Sequence, residues 1–236
     1  MNKKTIICLC FHLVFTLLFS KSIHAERHIY TFNLDTNIYK SVKIGKQEWM
    51  SQNLDVAFFR NGDSIKEVFS ADEWDKAANE KIPAFIFYSR GLVDNEQIEC
   101  SGKFYNWYAV IDPRGLAPLG WHVPNVAEWQ IMIDYTGGFT YAGKTNKSIS
   151  GWKNKKMEPQ GNGTNSSGFN ALPVGIYYTK NGKGYFDFVN MFSSWWTTES
   201  KNNSDAWLYF FSCEGDGSGT AARRKSSGIG VRCIKD

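Results

Sequence analysis

After residue 25 the chain is built from short apolar runs broken by Gly, Asn, Asp and Pro. That punctuation predicts short strands and tight turns with few helices. Ile29–Phe32 and Ser41–Ile44 read as strands. Gly45-Lys46 reads as a hairpin turn into Gln47–Met50, and Arg60-Asn61-Gly62-Asp63 as a further turn. Ser70 with Glu73 three residues on has the form of a capping box, predicting a helix to about Asn79 with Pro83 preventing continuation. Ala84–Tyr88 reads as a buried strand and Gly91–Ser101 as a polar loop. Phe104–Val110 is aromatic on both faces, and periodicity alone fits a strand or a short helix.

Asn125 and Glu128 form a second capping-box pattern. Val126, Trp129 and Ile133 follow at helical spacing, and Gly137-Gly138 is expected to end that helix. Residues 139–170 read as loop. A β-rich remainder follows: Ala171–Tyr178, a hairpin turn over Lys180–Gly184, Tyr185–Phe188, Ser194–Thr198, Ala206–Cys213, Ala221–Arg224 and Ile229–Ile234, expected as an antiparallel meander. No internal repeat and no Pro-rich or charged linker divides residues 26–236, which favours a single domain.

The first 25 residues stand apart. Asn2-Lys3-Lys4 is a positive start, Thr5–Phe19 an apolar run, and Ser20–Ala25 a polar end, which together read as a signal peptide cut after Ala25. An uncleaved N-terminal anchor is the alternative. Cys8 and Cys10 lie inside the apolar run, which argues against a lipoprotein, and no later run is long enough to span a membrane. Export makes a secreted, cell-surface or periplasmic location the expectation. The formal charge of +4 shrinks with this segment, whose three lysines leave 24 bases against 23 acids. Near-neutrality argues against nucleic-acid binding, which needs a clustered positive surface. An aromatic content of 16% argues against disorder.

Chemistry-bearing residues are sparse. Cys100, Cys213 and Cys233 remain after cleavage, so at most one internal bridge forms. Cys213 and Cys233 share the C-terminal β-rich region and are the candidate pair; three buried or half-buried thiols are the alternative. No CxxC spacing exists to support redox or zinc chemistry. His122 is effectively the only histidine of the folded body, with no nucleophile elbow beside it, and reads as structural. The Gly161–Gly168 loop lacks the Lys-Ser/Thr ending of a phosphate loop. Glu214–Gly219 lacks the ligand spacing of an EF-hand and reads as a tight turn. No metal ligands and no cofactor are called for. Nothing singles out a carboxylate pair for glycoside hydrolysis.

Aromatic clusters are the strongest remaining feature. Trp195-Trp196 on one strand must point to opposite faces, so one is expected in the core and the other exposed or under a loop. Trp207 and Tyr209 share a face of the next strand, and Arg223-Arg224 add positive charge. Exposed Trp and Tyr stack on sugars or anchor protein contacts. The alternative is that these rings simply fill the core.

The series Val42–Leu54 (VKIGKQEWMSQNL), Phe59–Asp63 (FRNGD), Phe104–Val110 (FYNWYAV), Gly115–Pro118 (GLAP), Gly120–Pro124 (GWHVP), Ala127-Glu128-Trp129, Asn165–Phe169 (NSSGF), Ala171-Leu172-Pro173 and Val231-Arg232-Cys233 resembles the Fibrobacter succinogenes major paralogous domain family. The resemblance runs from about Tyr30 to the C-terminus. It implies a C-type-lectin-like fold, in the branch shared with formylglycine-generating enzymes and the variable proteins of diversity-generating retroelements: α+β, two helices, an irregular antiparallel sheet and long loops. It also implies export and surface display, but brings no established activity. The close C-terminal cysteine pair of formylglycine-generating enzymes is absent, as are the histidines of the iron-dependent sulfoxide synthases and the Glu-Pro-Asn, Gln-Pro-Asp and Trp-Asn-Asp motifs of calcium-dependent lectins.

The resulting expectation is a non-catalytic binding module for a glycan or protein ligand. Trp195, Tyr209, Arg223 and Arg224 are its candidate binding residues, on the C-terminal strands where related variable proteins place theirs. A structural, adhesin-type surface component comes second and an exported carboxylate hydrolase third.

Overall fold

Gly45, at φ +63°, is the first residue of the turn that joins Ser41–Ile44 (β1) to Gln47–Met50 (β2), with Ile44 opposite Gln47. The computed structural model describes residues 39–88 and 102–236, within one compact unit that spans Asp35–Asp236. The stretch read as a signal peptide, the strand expected at Ile29–Phe32, the loop expected at Gly91–Ser101 and Cys100 lie outside the described residues.

The first hairpin is completed by the far end of the chain. Ile234 of Ile234–Lys235 (β12) pairs with Trp49 on one side and with His122 of Trp121–His122 (β6) on the other, giving a sheet ordered β1-β2-β12-β6. The Ile229–Ile234 run is therefore not a further antiparallel strand of the C-terminal meander. It pairs with the meander through an isolated parallel bridge between Gly230 and Trp195, and bridges Tyr105 at Ile229. The meander itself has three antiparallel strands: Phe192–Ser200 (β9), Asp205–Ser212 (β10) and Gly219–Arg224 (β11).

A second small sheet contains Lys66–Glu67 (β3), Ala84–Ile86 (β4) and Phe104–Tyr105 (β5), with the β3–β4 pair parallel. Ile176–Lys180 (β7) and Lys183–Asp187 (β8) form a hairpin. Its Asn181-Gly182 turn has both residues at positive φ, as that dipeptide predicts. The strand expected from Ala171 starts only at Ile176, because Gly175 turns the backbone at φ +76°.

Four helices are present among the described residues, against the two expected. Ala71–Asn79 (α1) starts where Ser70 Oγ accepts Glu73 N–H, at 3.2 Å; Glu73 reaches past the cap to accept Phe69 N–H, at 2.8 Å. Phe104–Val110 resolves as both candidates at once: β5, then the single turn Trp107–Val110 (α2). Asn106 makes the switch, its Oδ1 accepting the N–H groups of Ala84 and Ala109 and its Nδ2 donating to Ile82 O. Val126–Tyr135 (α3) carries the complete Asn125–Glu128 capping box. The Gly137-Gly138 pair ends α3 as expected but also restarts the chain as Gly138–Asn146 (α4), inside the stretch read as loop. At φ +119° and +70° the two glycines make a corner that L side chains resist. None of the described helices is long and apolar enough to cross a membrane.

Packing on both faces of the meander decides where the tryptophans go. Trp195 and Trp196 do point to opposite faces, but both are fully buried, so the expectation that one reaches the surface is corrected. Trp196 packs with Tyr105, Trp107, Leu208 and Ile229, and its Nε1 donates to Tyr105 O at 2.9 Å. Trp195 lies with Trp49, Trp129, Phe169 and Phe211 beneath α3. Burying one such ring removes on the order of 200 Å² from water, worth about 4–5 kcal/mol. A third cluster joins α1 to the β7–β8 hairpin through Trp74 and Tyr177, their ring centroids 5.1 Å apart.

Candidate functional site

The segment that crosses from β8 to β9 is strained and tightly held. Phe188 (φ +59°) and Asn190 (φ +67°) both adopt the left-handed region, which a bulky Phe rarely enters. Asp187 Oδ1 accepts Phe188 N–H at 2.8 Å, Asn190 N–H donates to Pro173 O at 2.8 Å, and Phe188 O accepts the N–H groups of Met191 and Phe192 at 2.9 Å each. A side chain at Gly175 would run into Asp187 O, so that glycine lets the crossing lie close.

This crossing forms one wall of an aromatic groove. Phe188 meets Phe192 at 6.1 Å, and Phe192 stacks on Phe210 at 4.7 Å and 26°. Phe192 and Phe210 lie on the same face of the sheet because Ser212 pairs with Phe192 and Phe210 with Ser194. The cavity they line holds about 280 Å³, with Lys155, Glu214 and Arg223 among its polar residues. Two cations against one carboxylate make the mouth net positive. Cys213 is among its lining residues, and its thiol pKa is pushed up by burial and then by Glu214.

The four sequence-predicted residues part company here. Arg223 sits on β11 opposite Ala206, is exposed and lines the groove. Arg224, next along the strand and opposite Asp205, is exposed toward the other face. Trp195 and Tyr209 are core residues and reach no ligand. Tyr209 is 2% exposed because its ring stacks under Trp129 of α3, at 5.3 Å and 13°. Its hydroxyl sits 3.3 Å from Val126 O and 3.2 Å from Gln130 Oε1, and burial pushes its pKa up to about 12. Trp207 keeps partial exposure on that face, with Lys201 Nζ 5.0 Å above its ring.

Sequence reasoning missed Phe188, Phe192 and Phe210. Alternation carried the signal for Phe210, one residue past Tyr209 and so on the opposite face. Nothing local marked Phe188, whose role depends on a backbone conformation unusual for its type.

Cys213 and Cys233 are both buried and no disulfide joins them. The sheet separates them: Cys213 belongs to the cluster beneath α3 and Cys233 to the cluster on the other side. Carbonyls of the Glu214–Gly219 turn are already in use. Lys147 Nζ donates to Gly215 O at 2.7 Å and to Ser212 O at 2.9 Å, which ties the turn to the end of α4. In the Gly161–Gly168 loop, Asn162 accepts Trp152 N–H and Asn165 accepts Asn170 N–H, the structural role read from its composition. His122 bridges Glu128 and Asp236, at 2.8 and 2.7 Å. Among the described residues no group of three or more His, Cys, Asp or Glu side chains could hold a metal ion.

Architecture and groove together define a small α+β domain with an aromatic, cation-rimmed groove on its C-terminal meander. The family model of the Fibrobacter succinogenes major domain matches residues 42–235, and the chain belongs to that family. The chain matches no curated protein and no solved structure.

Proposed function

We propose that the chain is an exported, non-catalytic binding module of C-type-lectin-like fold that takes a glycan or protein ligand at the Arg223 groove. The observation that carries this is the stacked Phe192–Phe210 pair with Arg223 and Lys155 beside it. Aromatic faces suit the apolar face of a sugar ring, and a guanidinium fork suits a carboxylate. An acidic glycan satisfies both and is the favoured ligand.

Two features support the lectin-like placement: the family resemblance, and the pairing of β2 with β12, which brings the beginning and end of the domain into one sheet. Hydrolysis is the weaker reading. It needs two carboxylates facing one cleft, and the Arg223 groove is lined by a single one, Glu214.

The test is a binding screen of the purified protein against uronic-acid oligosaccharides, neutral oligosaccharides and surface proteins. Arg223→Ala combined with Arg224→Ala is expected to abolish binding of an acidic ligand. Unchanged binding in that double variant would remove the groove as the site.

A further inference from the structure

Two exposed tyrosines frame another cavity. It holds about 460 Å³ and lies at the α3–α4 corner, between Tyr135 and Tyr141 and against Lys43, Thr145, Ser166 and Ser167. Tyr135 is 68% exposed and Tyr141 52%, yet neither ring hangs free. A Cβ built on Gly45 would sit 3.0 Å from Tyr135 Cδ2, and one built on Gly137 would sit 3.0 Å from Tyr141 Cβ and 3.1 Å from its Cδ1. Each tyrosine is thus seated on a glycine. Both glycines have positive φ, so backbone geometry and close approach select the same residue.

A ring that rests on backbone on one side has fewer rotamers open to it, which lowers the entropy lost when a ligand covers its other side. The remaining wall is hydroxylic. Ser166 Oγ lies 3.1 Å from Thr164 Oγ1, so two hydroxyls stand together in this wall. Ser167 Oγ is committed to Asn146 Oδ1 at 2.7 Å and fixes the rim. Lys43 is the one charged residue of the lining, and no carboxylate is among them.

We infer that this tyrosine cradle is a binding subsite for a neutral pyranose unit of a glycan. Its chemistry fits that ligand: flat aromatic surface for the C–H face of a sugar ring, and hydroxyls and an ammonium for its O–H groups. The volume lies within the range of small-ligand sites. The subsite shares the binding-module reading but none of its lining with the Arg223 groove, so the two fail separately.

The experiment is calorimetric titration of the purified protein with neutral pentasaccharides of β-1,4-glucan, β-1,4-xylan and α-mannan. At least one is expected to bind. Tyr135→Ala combined with Tyr141→Ala should weaken it at least about 10-fold, which is about 1.4 kcal/mol of binding free energy. Tyr135→Phe combined with Tyr141→Phe keeps both rings and should retain most of the affinity, which separates stacking from misfolding. Arg223→Ala should leave this titration unchanged. Three results would overturn the inference: no pentasaccharide binds, the double alanine variant binds as well as the parent, or the alanine variant loses only self-association in sedimentation.

Discussion

Arg232 and Asn53 are joined side chain to side chain inside the core, with Nε and Nη2 of Arg232 donating to Asn53 Oδ1 at 3.0 and 2.8 Å. Trp195 Nε1 donates to the same oxygen at 2.8 Å. The other guanidinium nitrogen, Nη1, donates to Met50 O and Phe169 O. Arg232 is 1% exposed, stacks against the Phe169 ring at 4.4 Å, and is hydrogen-bonded by neutral oxygens alone among the contacts described. Burial lowers its pKa, while these four acceptor contacts let the charge stay.

Removing the shared acceptor should therefore be severe. Asn53→Ala strands an indole N–H and two guanidinium N–H groups in a dry core. The expected loss is about 3 kcal/mol of unfolding free energy, read from urea denaturation. Asn53→Asp keeps an acceptor and adds an opposite charge, so it should lose clearly less. Equal losses for the two variants would mean that the shared Oδ1 acceptor is not what Asn53 supplies.

Lys147 should make stability rise with pH in the mildly alkaline range. Burial lowers its pKa to about 8, partly offset by Asp216 and Cys213, with Lys144 adding to the lowering. The unfolded chain holds that proton to about 10.4. Below pH 8 both states are protonated and the burial penalty is fully present. Between the two pKa values the unfolded chain binds more protons than the folded one, so stability increases with pH. From pH 7 to 9.5 the parent should gain about 2 kcal/mol relative to Lys147→Met in urea denaturation. A pH-independent difference would show that the ammonium is as well solvated by Ser212 O and Gly215 O as it is by water.

The sign reverses for His122. Burial lowers its pKa, but hydrogen bonds to Glu128 and Asp236 and their charges outweigh burial, and the net shift is upward from 6.5. Its contribution is fully present below the unfolded pKa and fades as pH rises through the folded one. The ring is 38% exposed, so solvent screening holds the effect to less than about 1 kcal/mol. An NMR titration should place the imidazole above 6.5, and a single Glu128→Gln or Asp236→Asn change should move it down. A value at or below 6.5 in the parent would rule out the clasp.

Gly143 sets two principles against each other. In α4, replacing glycine by alanine should stabilise the helix by about 1 kcal/mol. The new methyl, however, would run into Gly217 O and come within 2.8 Å of Asp216 O, both backbone atoms that cannot swing away. Overpacking of this kind costs about 1–3 kcal/mol and decides the sign. Gly143→Ala is expected to lower the thermal midpoint; a raised midpoint would show that the 214–219 turn yields easily.

Local signals in the sequence were enough for the elements that close within a few residues. Ser70 and Asn125 cap helices as their side chains predict, and Gly45 and Asn181-Gly182 make the hairpins their chemistry requires. Family membership was equally legible, because it rests on ordered motifs along the chain. Helix α4 was not: Gly137-Gly138 ends a helix by local rules, and only packing of Gly143 against the 214–219 turn shows that another begins there.

What the sequence by itself determined was an α+β domain with an aromatic core, and the alternation that sends Trp195 and Trp196 to opposite faces. Tertiary structure alone decided that both faces are covered, so that Trp195 and Tyr209 became core while Arg223 kept its place at a groove with Phe188, Phe192 and Phe210. The physical reason is that side-chain direction is a property of the strand, whereas burial depends on what a distant segment lays over it. Here those segments are α3 on one face and the Tyr105–Trp107 and Ile229–Val231 stretches on the other. The Arg232–Asn53 contact between residues 179 positions apart likewise exists only once β2 and β12 lie side by side.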